Sequence, residues 1–437
     1  MKSKIWISFI ILFLMANFLS AKTYNLETFL SLVEKHSKDL KLAEQEQEMA
    51  KVNKKQAISL ALPKIAAQAE YTRNLTDYFM FVDASFMGMP GQVAKFKVKR
   101  DNELSANLAL QQTLFSPTVG NAITAAKQYQ KLTDFIYDAS FQAIVNVAKT
   151  LFYQTLLAEK YWQVIKESEK NAHENYDNMK LKFENGVVSE FELLQAEVRW
   201  KNSIPETAKA RRNHEMALNN LKNLAGIEIS EPMELEGNFE DVPPMPEKMD
   251  FDTILKRRPD YNAQLWEEKL RQTNVKVKKA AFFPTLTGSL VYAFTAQSDY
   301  WKIEQDNGLL MAGLSLSLPI FTGGYRHSEI QKAKVELVKT QLNIDKSKEK
   351  IYNEISNIYL QLEEAYERIT SAETILKTAE KAFKIAENTA QSGLATQLQL
   401  KDARVGFDQA KMNHYAALFD YLNAYFQWEQ AVGKKLD

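Results

Sequence analysis

The chain has 437 residues, with 55 basic residues balanced by 55 acidic ones, five scattered histidines and no cysteine. That excludes disulfides, thiolate metal sites, cysteine nucleophiles and a lipid on an N-terminal cysteine, and it offers no net charge for a nucleic acid. With no HExxH, Gly-rich phosphate loop or GxSxG, no enzyme, metal or cofactor is expected.

Residues 1–21 read as a secretory signal. Lys2 and Lys4 precede an apolar run, Ile5 to Met15, and Leu19-Ser20-Ala21 offers a cleavage site near Ala21. An uncleaved anchor competes with this reading, but the run is far below the ~20 apolar residues of a span. No later segment reads as a membrane helix, though an exported chain can still cross a membrane as strands.

Asn25 to Leu60 is helical in pattern, with Leu26, Phe29, Leu30, Val33, Leu40 and Leu42 among polar residues, and Pro63 ends it. Ile65, Ala67, Ala69 and Tyr71 then alternate with Ala66, Gln68, Glu70 and Thr72, which predicts a strand. Thr76 to Asn102 reads as a loop holding Gly88, Pro90 and Gly91 beside several aromatics. Leu104, Ala106, Leu108 and Leu110 make a second alternation, closed at Pro117. A long helix is expected from about Gly120 to Asn185, a turn at Gly186, and a helix from Ser189 to Ala225 kinked by Pro205. Ile227 to Met249 carries Pro232, Pro243, Pro244 and Pro246 and reads as an irregular connector.

The second half repeats the order. Phe251 to Ala281 is a helix ended by Pro284, and Leu286, Leu290, Tyr292 and Phe294 mark a third strand. After a short loop, Leu310, Ala312, Leu314, Leu316 and Leu318 alternate with Met311, Gly313, Ser315 and Ser317. Pro319 ends that strand, and Gly323-Gly324 turn the chain into a helix of roughly 100 Å running to Ser392. Gly393 interrupts, and a last helix reaches about Val432.

Gly393 lies 207 residues beyond Gly186, and Gly433 lies 207 beyond Gly226. Between Ile351 and Ala390, twelve apolar residues step by 4 and 3 without a break, and ten of the twelve positions 207 earlier are also apolar. A straight helix drifts ~20° per heptad, so a period kept this long implies supercoiled packing. A cytoplasmic coiled-coil hairpin would share the seam but leaves the signal and strands unexplained.

Each strand has the length that crosses an outer membrane when tilted. Phe115, Phe282, Phe283 and Phe321 gather at one set of ends, and Tyr78, Phe79, Tyr300 and Trp301 at the other, like two interfacial girdles. A soluble sandwich face is the competing reading. Four strands cannot close a barrel, and open edges in lipid are unsatisfied, so spanning strands require several copies.

At LKRRPDYNAQLWEEKLRQTNVKVKKAAFFPTL (from Leu255), LSLPIFTGGYRHSEIQKAKVEL (from Leu316), the paired Gly186 and Gly393 turns, and the LAG and AVG endings, the chain resembles the TolC family of outer-membrane efflux and secretion ducts. The resemblance implies a mainly α fold with membrane β. It would be a homotrimer with a 12-stranded outer-membrane β-barrel continuous with a 12-helix periplasmic α-barrel, built from two internal repeats. The repeats would be residues 22–226 and 251–437, with 227–250 a connector of the equatorial region.

The implied function is a passive exit duct of a tripartite pump for small toxic molecules. It would stand in outer-membrane lipid of a Gram-negative cell, reach into the periplasm, and work with a periplasmic adaptor (membrane fusion) protein and an inner-membrane transporter of RND or ABC type. Type I protein secretion is the alternative use, and an exported coiled coil or adaptor without a pore the alternative class. By resemblance, Gly186, Val187, Val188, Ser189 and Gly393, Leu394, Ala395, Thr396 form the hairpin tips that an adaptor grips. Glu192, Gln195, Gln399 and Asp402 stand where similar proteins narrow the periplasmic aperture with acidic rings. One ring is here an amide, and Ala390 and Ala395 replace a Tyr–Arg latch found in some relatives.

Overall fold

A computed structural model describes residues 22–239, 242–301, 305–392, 394 and 396–434. The signal-like segment 1–21 and the tip residues Gly393 and Ala395 lie outside the described residues. The chain divides into two compact units, one of residues 1–47, 133–263 and 344–437, the other of 48–132 and 264–343. Each draws on both halves of the sequence.

The second unit is built on a four-stranded antiparallel sheet in the order β2-β5-β7-β8, from β2 (Lys64–Arg73), β5 (Asn102–Phe115), β7 (Thr285–Ser298) and β8 (Gln305–Ser317). These are the four strands expected from alternation. Pairing is continuous from Lys64↔Gln111 to Arg73↔Asn102, and from Thr285↔Ser317 to Gln297↔Gln305. Every helix of this unit joins the sheet at the Lys64, Phe115, Thr285 and Ser317 end. The loop expected over 76–102 is more ordered than its composition implies. It contains a hairpin, β3 (Phe79–Asp83) on β4 (Val93–Lys97), with a 3-10 turn at Ala84–Met87 between them. Aromatic and β-branched residues on both arms favour pairing, and Gly88, at φ 78°, caps the turn.

The first unit is helical. α1 (Leu26–His36) is capped by Asn25, whose side chain accepts from the Thr28 amide at 2.9 Å. The single helix expected over 25–60 is two, because buried Ser37 interrupts it before α2 (Lys38–Ser59). The helix expected over 251–281 also divides, into α5 (Phe251–Arg257) and α6 (Pro259–Ala280). Pro259 holds Arg258 in extended backbone (φ −69°, ψ 117°), while its missing N–H is harmless at a first helical position. The connector is not wholly irregular, since β6 (Met233–Leu235) pairs in parallel with β1 (Lys22–Tyr24).

The remaining helices are α3 (Pro117–Glu184, 68 residues), α4 (Glu190–Ala225), α7 (Tyr325–Gln391, 67 residues) and α8 (Gln397–Ala431). α4 runs unbroken through Pro205. All twelve seam positions from Ile351 to Ala390 are buried or half-buried, as are eleven of the twelve in the first repeat. Only Phe183, beside the tip, is exposed. Beside the first seam, Phe152 and Leu156 of α3 pack with Phe29, Leu221, Leu418 and Leu422, while Ile355 and Leu362 on the α7 seam pack with Ile254 and Tyr421.

Arg258 bolts this second core. Its guanidinium donates to both Asp260 oxygens (3.0 and 2.7 Å), to Glu354 Oε2 (3.0 Å) and to the Ala431 carbonyl (3.1 Å). Burial opposes its charge, yet the two carboxylates hold it protonated beyond its ordinary range. This gives the Arg258-Pro259-Asp260 motif a structural reason: one residue clamps α7 and α8 to a corner that the other two shape.

Candidate functional site

Two features carry the functional chemistry: the faces of the sheet, and the ends of the helical hairpins. Register assigns the faces. Side chains paired across antiparallel strands share a face, and their neighbours along the strand point the other way. One row reads Ala69, Ala106, Phe294 and Gly308; the next on that face reads Ala67, Leu108, Tyr292 and Leu310; the third reads Ile65, Leu110, Leu290 and Ala312. That face is apolar, and Ile65, Leu108, Tyr292 and Leu310 are exposed in the single chain. The opposite face carries Lys64, Gln111, Ser289 and Gly313 in one row, and Glu70, Ser105, Thr295 and Asn307 in another. Edge strands β2 and β8 have no outer partner among the described residues.

The sheet ends keep their aromatics. Phe115, Phe282, Phe283 and Phe321 are exposed at the helix-bearing end, and Tyr78, Tyr300 and Trp301 at the other. Among the described residues, no helix is long and apolar enough to cross a membrane, and no three His, Cys, Asp or Glu side chains form a metal-sized group.

The hairpin tips repeat one construction. At the first, Gly186 has φ 72° and donates to the Phe183 carbonyl (2.8 Å), and Val187 donates to that of Lys182 (2.8 Å). This closes α3 as a Schellman motif. At the second, Leu394 donates to the Thr389 carbonyl at 2.9 Å, the same bond moved by 207 residues. Ser189 then caps α4 and Thr396 caps α8. Each is a reciprocal capping box: Glu192 Oε2 accepts from the Ser189 amide at 3.0 Å, and Gln399 Oε1 from the Thr396 amide at 2.9 Å. Two residues expected at an aperture are therefore also N3 caps. The signal, Ser-x-x-Glu and Thr-x-x-Gln, was present in the sequence. Carboxylate and amide oxygens serve a cap alike, which accounts for acid in one repeat and amide in the other.

Val187 and Leu394 are exposed apolar side chains at these tips, and Val188 is half-buried. Gln195 and Asp402 are exposed one turn further along their helices. The charge of Asp402 is felt by a residue that the sequence did not single out. Burial draws the Arg199 guanidinium of α4 below its ordinary value, while the carboxylates of Asp408 and Asp402 on α8 oppose that shift. Beside it, Arg404 pairs with Asp408 (3.0 Å) and Glu167 (3.4 Å), and lies 5.0 Å from the Phe383 ring centroid. The Arg404–Asp408 pair is i,i+4 and was legible, whereas Glu167 comes from α3 and was not.

The family model for outer membrane efflux proteins matches residues 29–227 and 251–434. The chain belongs to the outer membrane efflux protein family. The match leaves out residues 228–250. Outer membrane protein TolC of Escherichia coli K12 is 23% identical over 252 residues, covering 54% of this chain and 50% of that one. Probable outer membrane lipoprotein SilC of Salmonella typhimurium is 24% identical over 203 residues, covering 46% of this chain and 43% of that one. The chain spans about half the length of the curated relatives it matches.

Among solved structures, the Campylobacter jejuni CmeC outer membrane channel aligns with TM-score 0.78 at 21% identity, over 93% of this chain and 85% of that one. VceC of Vibrio cholerae aligns with TM-score 0.72 at 17% identity, over 93% and 96%. The fold is therefore that of an outer membrane efflux channel, mainly helical with a membrane sheet and two internal repeats. The family places the chain in the outer membrane of a Gram-negative cell.

Proposed function

We propose that three copies of this chain form a passive exit duct through which an inner-membrane pump discharges small toxic molecules across the outer membrane. The observation that carries this reading is the sheet: one apolar face, one face that mixes polar side chains with small and apolar ones such as Ala109, Val291 and Met311, and two edges left open. In lipid an open edge leaves backbone donors and acceptors unpaired at several kcal/mol each, so edge must meet edge on another copy. Three copies bring twelve strands, enough for an aqueous lumen lined by Gln68, Glu70, Asn107 and Ser289. The helical hairpins then enclose the periplasmic part of the passage. The duct performs no catalysis, and its energy comes from an RND or ABC transporter.

The tips, Gly186-Val187-Val188-Ser189 and Gly393-Leu394-Ala395-Thr396, are the docking surface for hairpins of a periplasmic adaptor. Exposed Val187 and Leu394 supply apolar contact, and the caps fix the angle at which each tip is presented. Glu192, Gln195, Gln399 and Asp402 surround the aperture.

The test combines assembly with conduction. Purified protein should run as a trimer that heating converts to monomer, and should pass single-channel current in planar bilayers. A soluble monomer without conductance would reject the duct. Valine-to-aspartate change at Val187 should abolish efflux in cells while leaving trimer and conductance intact, and unchanged efflux would reject the tip assignment.

A further inference from the structure

The two free edges of the sheet differ in length, and the difference governs how copies can join. β2 has ten residues and β8 thirteen. β2 is exposed at every position, and β8 is exposed from Asn307 to Ser317. Followed across the sheet, Lys64 of β2 is level with Gln111, Ser289 and Gly313. Leu314 to Ser317 therefore run past the start of β2 at the helix-bearing end, where they still pair with Gly288 to Thr285 of β7. At the other end Arg73 is level with Asn102 and Ser298, one step beyond the last paired residue of β8, Gln305.

Strands of a closed barrel tilt by about 35–45°, so a row that leaves one copy must reach the next displaced along the strand. The displacement is an even number of residues, because an odd one would turn lumen side chains to lipid. At ~3.4 Å per residue and ~4.8 Å between strands, a step of two residues per copy tilts twelve strands by about 20°, four by about 35° and six by about 47°. The edges add a second condition, since an unpaired backbone group in lipid is costly. Steps of two or four residues toward the helices engage all ten residues of β2. Level closure leaves out Arg73, a step of six leaves out Lys64 and Ile65, and a step of four the other way engages only half of β2. Four residues toward the helices meets both conditions.

We propose that β8 of one copy pairs with β2 of the next in this single register, from Ser317 opposite the partner's Lys64 to Gly308 opposite the partner's Arg73. The proposal rests on the duct reading, which supplies the second copy, and it adds the stagger between copies. Ala312 then lies opposite the partner's Ala69 on the lipid face, and Ser315 opposite the partner's Ala66 on the lumen face. The stagger also sets the bore. At this tilt the backbone cylinder has a radius of about 11 Å, against roughly 9 Å for level closure.

The chain has no cysteine, so engineered pairs report register without background. Directly opposed residues have Cα atoms about 4.5–5.5 Å apart, within disulfide reach, whereas a slip of two residues takes them to roughly 8 Å, beyond the ~7 Å limit. Purified trimers of double-cysteine variants are oxidised, boiled in detergent without reductant and run on a gel. Ala312→Cys with Ala69→Cys, and Ser315→Cys with Ala66→Cys, should stay trimeric and fall to monomer when reduced. Ala312→Cys combined with Ile65→Cys, Ala67→Cys or Tyr71→Cys should boil to monomer; these sample steps of none, two and six. A covalent trimer strongest at one of those three positions, or no cross-link at any position in trimers that conduct, would overturn the register. Unboiled migration and conductance are read on the same preparations and on wild type. A wild type that neither assembles nor conducts defeats the duct reading itself, whereas conducting trimers cross-linked elsewhere defeat the register alone.

Discussion

Three glycines offer a graded test of how the hairpins are closed. Gly186, Gly226 and Gly433 have φ 72°, 67° and 64°, so each alanine variant pays the left-handed cost of about 1–2 kcal/mol. Their surroundings then separate them. A Cβ at Gly186 meets nothing within 4 Å, and one at Gly226 meets His36 Cβ at 3.2 Å. At Gly433 it falls 2.7 Å from the Arg257 carbonyl carbon and 2.9 Å from the Arg258 nitrogen. Both are backbone atoms at the corner that Arg258 clamps, so the corner must move, adding about 1–3 kcal/mol of overpacking. The total at Gly433 is about 2–5 kcal/mol. The assay is the fraction of trimer that survives heating in detergent, as a function of temperature. Wild type should be most resistant, Gly186→Ala and Gly226→Ala slightly less, and Gly433→Ala clearly the least. Gly186→Asn, which tolerates the left-handed region, should recover most of the Gly186→Ala loss. Equal damage at Gly186 and Gly433, or a neutral Gly433→Ala, would refute the reasoning.

Three further outcomes are expected. Leu362, fully buried against Ile254 and Tyr421, should cost about 2–5 kcal/mol as Leu362→Ala, read as a lowered trimer dissociation temperature. Asp402→Ala should weaken divalent-cation block of single-channel current, and superimposable block curves would take Asp402 out of the aperture. Burial holds His214 below its ordinary value despite Glu159 nearby, so the folded chain binds fewer protons there than the unfolded chain. Stability is then complete above about pH 6.5 and is lost as pH falls toward the depressed folded value. His214→Phe should flatten that slope between pH 7 and 5 in denaturant melts, leaving the part due to His414, which burial also lowers. An unaltered slope would show that His214 is not its source.

Much of the architecture could be read in advance because it depends on short-range periods. Alternation at Leu310 to Leu318 and heptads from Ile351 to Ala390 follow from strand and helix geometry, and the helical seams are buried or half-buried at every position but Phe183. The hairpin ends were legible from Gly186, since a positive φ at a helix terminus is a local demand. Pro259 disfavours helical backbone at Arg258, which divides the helix expected over 251–281, and Ser-x-x-Glu and Thr-x-x-Gln mark capping boxes at Ser189 and Thr396 as well as expected aperture positions. The hairpin at Phe79–Lys97 was hidden because Gly88, Pro90 and Gly91 suggest a loop whether or not the flanking arms pair.

The sequence by itself thus determined the four long strands, the long helices, the turns between them, and the apolar face of each. Backbone geometry imposes those periods within a few residues, whatever the rest of the chain does. Only the tertiary structure decided that Trp301 lies on Tyr71, that Glu167 meets Arg404, and that Arg258 joins Glu354 to the Ala431 carbonyl. Those partners are separated by about a hundred residues or more. No local pattern encodes which of many similar side chains will be neighbours until strand register and helix packing bring them together.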